Sequence, residues 1–203
     1  MHREILSPQQ KALLPLLKKF SPEFGLVGGT AVALHLGHRQ SIDFDLFTSQ
    51  RLDHQKISRT IKKDFSLEKI IVDERDEFTV IVSGVRITFL NYPYPIKYSE
   101  KFDQTIKLPD LLSLAAMKAY TLGRRAKWKD YVDLYFIAQE YQGLEKIIKK
   151  AREIFKQEFN EKIFRVQLAY FKDIDFSEKI AYLPGFETDN KIVQEALKEL
   201  SLS

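Results

Sequence analysis

The order of apolar and polar positions near residue 30 predicts a strand, a tight turn and a helix. Phe24–Val27 is a short apolar run with strand character, and Gly28 and Gly29 follow it directly. Two glycines let the backbone turn tightly and approach a ligand closely, because no Cβ is in the way. The compact apolar segment Thr30–Leu36 favours a helix, which Gly37 ends.

The next segment alternates strictly between apolar and polar side chains. Its apolar positions, expected toward the core, are Ile42, Phe44 and Leu46. Its acidic positions, Asp43 and Asp45, are expected on the opposite face, since every second side chain of a strand shares a face. Both carboxylates therefore point the same way from a strand whose other face is buried.

The remainder of the first half predicts two flanking helices and three more strands. One helix begins at Ser7-Pro8, with Ser as the N-cap, and another runs from Asp53 to about Lys63. A tight Ser83-Gly84 turn indicates a hairpin between the last two strands. The predicted strands are Leu67–Val72, Phe78–Val82 and Val85–Leu90.

After about residue 105 the pattern becomes helical. We therefore predict an α+β fold in which residues 1–105 form a mixed sheet with flanking helices and residues 106–203 form a helical lobe. A loop is expected over Asp173–Gly185. The predicted helices are Pro109–Leu122, Ala126–Tyr141, Leu144–Phe159 and Asn190–Leu200.

Composition narrows the class of protein without specifying its chemistry. With 203 residues, 44% hydrophobic and 30% charged, the chain is typical of a globular protein with a proper core. A net charge of +4 suggests a polyanionic partner only weakly. The absence of cysteine excludes disulfides, thiolate metal sites and a cysteine nucleophile. The first residues lack the apolar core of a signal peptide, so we expect a cytoplasmic protein without membrane contact.

Two carboxylates on one strand face are costly unless something neutralises them. Like charges at short range raise one pKa or recruit a cation, and Mg²⁺ binds carboxylate oxygens together with substrate phosphates. A Gly-Gly turn that opens a helix offers backbone N–H groups to an anion. Asp43, Asp45, Gly28 and Gly29 thus indicate half of a phosphoryl-transfer site. The alternative is a surface strand with two solvated aspartates after an ordinary turn.

The segment GGTAVALHLGHRQSIDFDLF resembles motif I of nucleotidyltransferases of the polymerase-β type, and more narrowly the AbiEii/AbiGii-type toxin nucleotidyltransferases. The resemblance extends from about Phe24 to about Ile137 and implies a nucleotidyltransferase sheet lobe followed by a helical lobe. It also implies that Asp43 and Asp45 hold Mg²⁺ or Mn²⁺. The residues that it implies in nucleotide binding are Gly28, Gly29, Thr30 and Ser41.

Lys118 and Asp130 are further site residues that the resemblance implies. Lys118 follows a Leu- and Ala-rich helical run, and in the family a lysine after a similar run contacts the nucleotide phosphates. Read alone, it equally fits a lysine that extends from a buried helix to solvent. In the functional interpretation Asp130 either lies near the metals or orients Lys118, and Asp133 has a structural role. Intrahelical ion pairs such as Lys129 with Asp133 are the competing interpretation.

The third carboxylate of the superfamily has no evident counterpart. It is expected on the strand Val85–Leu90, where Thr88 occupies the position, and threonine is a poor metal ligand. Either two carboxylates suffice, or Asp73, Asp130 or Asp133 supplies the third.

The segment before the second predicted helix of the helical lobe is basic. Its cations are candidates for binding phosphate or an RNA backbone, and Trp128 either stacks on a base or packs in the core. Arg39 is expected to pair with Asp43 or Asp45 in the absence of metal. His35 and His38 are expected to pack near the Gly-Gly turn. The basic residues are Arg124, Arg125, Lys127 and Lys129.

The leading hypothesis is a metal-dependent nucleotidyltransferase that transfers NMP from an NTP to a tRNA end or a protein hydroxyl. By the resemblance it acts as the toxin of a toxin–antitoxin pair, with a cognate antitoxin as partner. Thr88 supports one alternative, a catalytically weak relative that binds nucleotide or RNA. An antitoxin-type minimal nucleotidyltransferase that modifies a partner toxin is the other.

Overall fold

A computed structural model describes residues 1–122, 124–125 and 127–203. The chain begins with two short helices, α1 (Pro8–Ala12) and α2 (Leu14–Phe20). Ser7 caps α1 as predicted, because its hydroxyl accepts from the Gln10 N–H while the Gln10 side chain accepts from the Ser7 N–H. Pro15 lies in the first turn of α2, where its missing N–H costs no helical hydrogen bond.

The next part of the chain forms a five-stranded sheet with two helices. In chain order the elements are β1 (Gly25–Val27), α3 (Gly28–Leu36), β2 (Phe44–Thr48), α4 (His54–Lys62), β3 (Leu67–Glu74), β4 (Glu77–Val82) and β5 (Val85–Asn91). The strand order is β1-β2-β5-β4-β3, with β2 and β5 parallel and the other pairs antiparallel. The predicted β4–β5 hairpin is confirmed, and both Ser83 and Gly84 have positive φ.

The two faces of the sheet differ in burial. On the core face Leu46 and Phe89 are fully buried. On the opposite face Asp45 of β2 lies beside Thr88 of β5, and Phe47 lies beside Leu90. The predicted alternation therefore holds from Phe44 onward. It was wrong for Ile42, which is 69% exposed because the strand begins only at Phe44.

The second half adds a small hairpin and a helical layer. The elements are β6 (Glu100–Phe102), β7 (Ile106–Leu108), α5 (Leu111–Thr121), α6 (Trp128–Tyr141), α7 (Glu145–Phe155), α8 (Glu161–Leu168) and α9 (Asn190–Leu202). The sequence pattern predicted neither the β6–β7 hairpin nor helix α8. Ala126, at which the predicted counterpart of α6 begins, lies outside the described residues, as does Gly123.

Helix α3 joins the sheet to the helical layer. Its central residues, Ala31–Leu34, are fully buried, and the helix contacts both α5 and α6 as well as β1 and β2. One hydrophobic core consequently runs through both predicted lobes. Among the described residues no helix combines the length and the apolar character that crossing a bilayer requires.

Candidate active site

A cavity of about 460 Å³ lies between the polar face of the sheet and helix α5. Its volume falls within the range of small-molecule sites. One end is formed by Gly28, Gly29, Ser41, Asp43 and Asp45. The residues that line the remainder include Phe47, Glu77, Arg86, Thr88, Leu90, Tyr92, Met117, Lys118, Tyr120, Arg124, Arg125, Lys127, Lys129 and Glu178.

Gly28 is the position at which the turn requires glycine. Its φ of +71° lies in the left-handed region, and a Cβ there would overlap Asp45 Oδ2. Gly29 has an ordinary φ, but a Cβ would come within 2.6 Å of Arg39 Nη2. Val27, at the N-cap of α3, supplies no side-chain cap. The first N–H groups of the helix are therefore suited to receive an anion.

Thr30 and Ser41 have different positions relative to the cavity. Thr30 is buried, its hydroxyl donates to the Asp43 carbonyl and its Oγ1 lies 2.9 Å from Ser41 Oγ. This contact ties α3 to the segment that enters β2. Ser41 itself lines the cavity, whereas Thr30 does not. The structure thus favours a positioning role for the Thr30 side chain over direct nucleotide contact.

Asp43 and Asp45 both line the cavity, and neither forms an ion pair within the described part of the chain. Burial and the like charge of Asp43 raise the pKa of Asp45, while the Arg125 charge partly offsets them. A divalent cation would relieve this cost, and carboxylate oxygens are the ligands that Mg²⁺ prefers. The pair therefore fits a metal that completes its coordination with water and substrate oxygens.

The described residues contain no cluster of three or more acidic, histidine or cysteine side chains that could hold a metal. Thr88 lies directly beside Asp45, as predicted from the strand pattern. Asp73 accepts a hydrogen bond from His54 at a separate surface depression, so it is not a third ligand here. Asp130 and Asp133 are both engaged by cations.

Glu77 is an acidic cavity residue that sequence reasoning missed. It opens β4, one residue before the predicted strand, and its Oε1 accepts from the Thr79 hydroxyl at 2.8 Å. Alternation with Thr79 across Phe78 would have placed it on the same face as Thr88.

The buried carboxylates of α6 organise a network of cations. Asp133 accepts from His38 Nε2 at 2.8 Å and from Arg39 Nε at 2.7 Å, and Lys118 Nζ lies 2.7 Å from it. Asp130 lies 2.5 Å from Lys118 Nζ and accepts from Arg125 Nε at 2.8 Å. Both carboxylates are fully buried.

The pKa directions within this network have clear causes. Burial alone would raise the pKa of Asp133, but the Arg39 and Lys118 charges hold it well below its ordinary value. The pKa of Asp130 is lowered in the same way by Lys118 and Arg125. Burial lowers the pKa of His38, and because the Asp133 carboxylate can only accept, His38 Nε2 is the donor between them.

These contacts revise several expectations from the sequence. Arg39 pairs with Asp133, so the prediction that it pairs with Asp43 or Asp45 was wrong. Lys118 faces the cavity but is held by Asp130 and Asp133, and only 5% of its side chain is exposed. Spacing along the helix did not anticipate the pairing of Asp133 with Arg39, since the two residues are 94 positions apart in the sequence.

Trp128 and His35 serve packing rather than the cavity. Trp128 is buried and donates from Nε1 to Asn190 Oδ1 at 2.9 Å, which leaves no face for a base. His35 Nε2 lies 3.0 Å from the Pro109 carbonyl oxygen, between α3 and the start of α5. Of the two open interpretations of Trp128, the structure supports packing.

A basic rim borders the cavity, and one acid neutralises part of it. Glu178, in the predicted loop, lies 2.7 Å from Lys127 Nζ and 2.6 Å from Lys129 Nζ. These contacts lower its pKa to about 2, so it remains charged at neutral pH. The loop is fastened by backbone hydrogen bonds, among them Gln40 N–H to the Ala181 carbonyl at 2.8 Å.

The sequence profile of the AbiEii nucleotidyltransferase toxins of type IV toxin–antitoxin systems matches residues 16–198. The chain belongs to this family. The AbiEii-family chain is also 30% identical to the uncharacterized protein aq_aa25 of Aquifex aeolicus over 205 residues, covering 97% of this chain and 90% of that relative.

Solved structures from two bacteria share the fold of this AbiEii-family chain. A putative nucleotidyltransferase of Helicobacter pylori aligns with a TM-score of 0.59 at 14% identity, over 96% of this chain and 92% of its own. JHP933 of Helicobacter pylori aligns with a TM-score of 0.58 at 14% identity, over 97% of this chain and 92% of its own. MenT4, a nucleotidyltransferase toxin of Mycobacterium tuberculosis, aligns with a TM-score of 0.55 at 11% identity, over 95% of this chain and 81% of its own. At these identities the likeness concerns the fold.

Substituting Gly28 tests the contact between the Gly-Gly turn and Asp45. Gly28→Ala is expected to destabilise the protein by more than the roughly 1–2 kcal/mol of a left-handed alanine, because the added Cβ also displaces Asp45. Gly84→Ala is the matched control, since Gly84 has a φ of +75° with open space around it. Denaturant unfolding of both variants measures the difference, and equal losses would contradict the contact.

Asp133→Asn tests whether the buried network supports the fold. Removing this charge leaves Arg39 without its buried counter-ion and Lys118 with Asp130 alone, and breaking a buried pair costs about 3–5 kcal/mol in free energy of unfolding. Asp43→Asn, which breaks no ion pair in the described structure, is expected to cost far less. Denaturant unfolding near pH 7 compares the two.

The stability difference between the wild type and Asp133→Asn should depend on pH. Because the folded pKa of Asp133 is lowered, its contribution is present above the unfolded value of about 3.9 and disappears as pH falls through the folded value. The difference is therefore expected to shrink only in strong acid. A difference that is small at pH 7 would contradict the network's role.

Glu178→Gln tests the electrostatics of the rim. Removing the acid frees Lys129 and leaves Lys127 only its 3.8 Å contact with Asp175, so tripolyphosphate is expected to bind severalfold more tightly, with a gain that salt reduces. Glu187→Gln is the control, because Glu187 is an exposed acid between α8 and α9 that does not line the cavity. Calorimetric titration at two salt concentrations measures the effect; unchanged affinity would show that Glu178 does not compete with anions.

Proposed function

We propose that the chain is a metal-dependent nucleotidyltransferase that transfers NMP from an NTP to a hydroxyl of RNA, such as a tRNA end, or of a protein. The acceptor hydroxyl attacks the α-phosphorus and loses its proton to solvent, while the α–β phosphoanhydride bond breaks and pyrophosphate leaves. The observation that carries the proposal is that Asp43 and Asp45 line one cavity without an ion-pair partner among the described residues, with Asp45 against the N-terminus of α3, which has no side-chain cap.

Asp43 and Asp45 would hold Mg²⁺ or Mn²⁺ in this proposal. The bound cation would supply positive charge at the attacking and leaving oxygens of the displacement. The protein's own contribution is placement. Asp45 is paired with Val27 on one neighbouring strand and with Thr88 on the other, which fixes the sheet face from which its side chain extends. The Thr30 hydroxyl donates to the carbonyl of Asp43 and holds that residue in place.

Gly28 and Gly29 would receive the nucleotide phosphates at the first N–H groups of α3, with Ser41 beside them. Lys118 lies in the same cavity and adds positive charge facing these groups. In the proposal Asp130 positions Lys118 and Arg125, because it contacts both cations from a buried site. Lys118 then acts on phosphates as a fixed charge rather than as a mobile one.

The family supports a role as the toxin of a toxin–antitoxin pair, and hence an antitoxin as partner. Charge favours RNA as acceptor. Arg86, Arg124, Lys127 and Lys129 line the cavity, and lysine and arginine contacts to phosphates dominate nucleic-acid affinity.

Labelling with each radioactive NTP, Mg²⁺ and total tRNA or cell lysate tests the proposal. The wild type is expected to label one class of acceptor, and chelator to abolish the reaction. Asp45→Asn is expected to lower turnover by on the order of 10²–10³-fold, as the loss of a preorganised electrostatic group does. Asp73→Asn, an acid outside the cavity, is the matched control.

Folding of each variant is checked by thermal melting, so that lost activity is not confused with unfolding. If Asp43→Asn and Asp45→Asn both retain wild-type turnover, the carboxylates are not the catalytic pair. If the wild type labels no acceptor with any NTP, the transferase proposal itself fails. The alternative that Thr88 suggests, a catalytically weak relative that binds nucleotide or RNA, then gains support.

A further inference from the structure

The cavity face of β2 and β5 changes from polar to apolar along the strands. Asp45 and Thr88 form one row across the parallel pair, and Phe47 and Leu90 form the next row on the same face. Successive rows lie about 6.6 Å apart, because each strand residue advances about 3.3 Å. An apolar surface thus begins one short step from the two carboxylates.

This apolar surface packs against the edge of the hydrophobic core through Phe47 but stays partly open to the cavity. Leu46 and Phe89, on the opposite face, are fully buried, whereas Phe47 and Leu90 are only partly buried and line the cavity. A sheet face that meets water ordinarily carries polar side chains. Apolar residues at these cavity positions therefore indicate a surface that a ligand covers.

Flat aromatic groups extend the surface beyond the strands. The ring of Tyr92 lies 4.9 Å from that of Phe47 at an interplanar angle of 38°. Across the cavity, Tyr120 stacks on Phe155 at 4.0 Å, and the Arg124 guanidinium lies 4.1 Å from the centre of the Tyr120 ring. Because these two groups cover the buried Tyr120 ring, the exposed Arg124 guanidinium is the planar group that this side presents to the cavity. Aromatic rings and guanidinium planes are the groups on which nucleobases stack.

We propose that the half of the cavity lined by Phe47, Leu90, Tyr92, Met117, Tyr120 and Arg124 is a nucleobase subsite that binds the base of the NTP. This inference rests on the proposed function, which places the phosphates at Gly28 and Gly29. The nucleotide then lies along β2 and β5, with its phosphates in the row of Asp45 and its base in the row of Phe47.

The same chemistry could receive the terminal base of an RNA acceptor instead. The proposal commits to the NTP, and binding measured without acceptor separates the two sources. Tyr92→Leu removes the aromatic ring, and Tyr92→Phe retains it. Tyr141→Leu is the matched control, because Tyr141 is a similarly half-buried tyrosine that does not line the cavity.

Calorimetric titration with each NTP and with tripolyphosphate, in Mg²⁺ and without acceptor, is the experiment. Tyr92→Leu is expected to weaken the preferred NTP by about tenfold, the scale of losing one base–aromatic stack, and to leave tripolyphosphate affinity unchanged. Tyr92→Phe and Tyr141→Leu should bind the NTP like the wild type. Unchanged NTP affinity in a folded Tyr92→Leu, or an effect confined to the KM of the acceptor, would overturn the subsite.

Photocrosslinking of the unmodified protein gives a second measurement that does not depend on a variant folding. The protein is irradiated in the presence of 8-azidoadenosine triphosphate or 5-azidouridine triphosphate, and the covalent adduct is located by mass spectrometry. An adduct on peptides that contain Phe47, Tyr92 or Tyr120 supports the subsite, and one confined to residues 172–186 overturns it. If the wild type binds and transfers no NTP at all, the proposed function fails rather than the subsite alone.

Discussion

The buried carboxylate of Asp133 holds together the parts of the chain that form the cavity. It contacts His38 and Arg39, which follow α3, and Lys118 of α5, while it belongs to α6. A carboxylate with no exposure is tolerated only when such donors surround it. Arg39 Nη2 lies 2.6 Å from the position of a Cβ at Gly29, so this ion cluster packs directly against the turn that faces the cavity. The position of the candidate active site is thus coupled to the satisfaction of one buried charge.

Local patterns predicted much of this molecule because they act over a few residues. The strands around Ser83-Gly84, the helix that Asp53 caps and the alternating burial along Phe44–Thr48 all follow from period and turn chemistry. Ile42 departed from the alternation because the chain enters β2 only at Phe44. The short hairpin β6–β7 carries too few residues for a periodic signal to identify it.

The ion pairs could not be read from the sequence, since their partners are far apart along it. Asp133 lies 94 residues after Arg39, and nothing local distinguishes that pairing from one with Asp43 or Asp45. Spacing within α6 suggested Lys129 as a partner for Asp133, yet Lys129 pairs with Glu178 at the cavity rim. The motif resemblance identified Lys118 and Asp130 as site residues and left open whether Asp130 orients Lys118 or lies near the metals; in the structure Asp130 and Lys118 are in contact.

The pKa of Asp45 is therefore shifted in the opposite direction from those of Asp130 and Asp133. Asp130 and Asp133 are surrounded by cations that lower their pKa values, and they hold those cations at fixed positions around the cavity. Asp45 has a raised pKa, beside a like charge and without an ion-pair partner in the described structure. The fold surrounds its two fully buried acids with cations, but it leaves Asp43 and Asp45 facing the cavity. This difference is the strongest physical reason to expect a cation and a phosphate between Asp43, Asp45 and the N-terminus of α3.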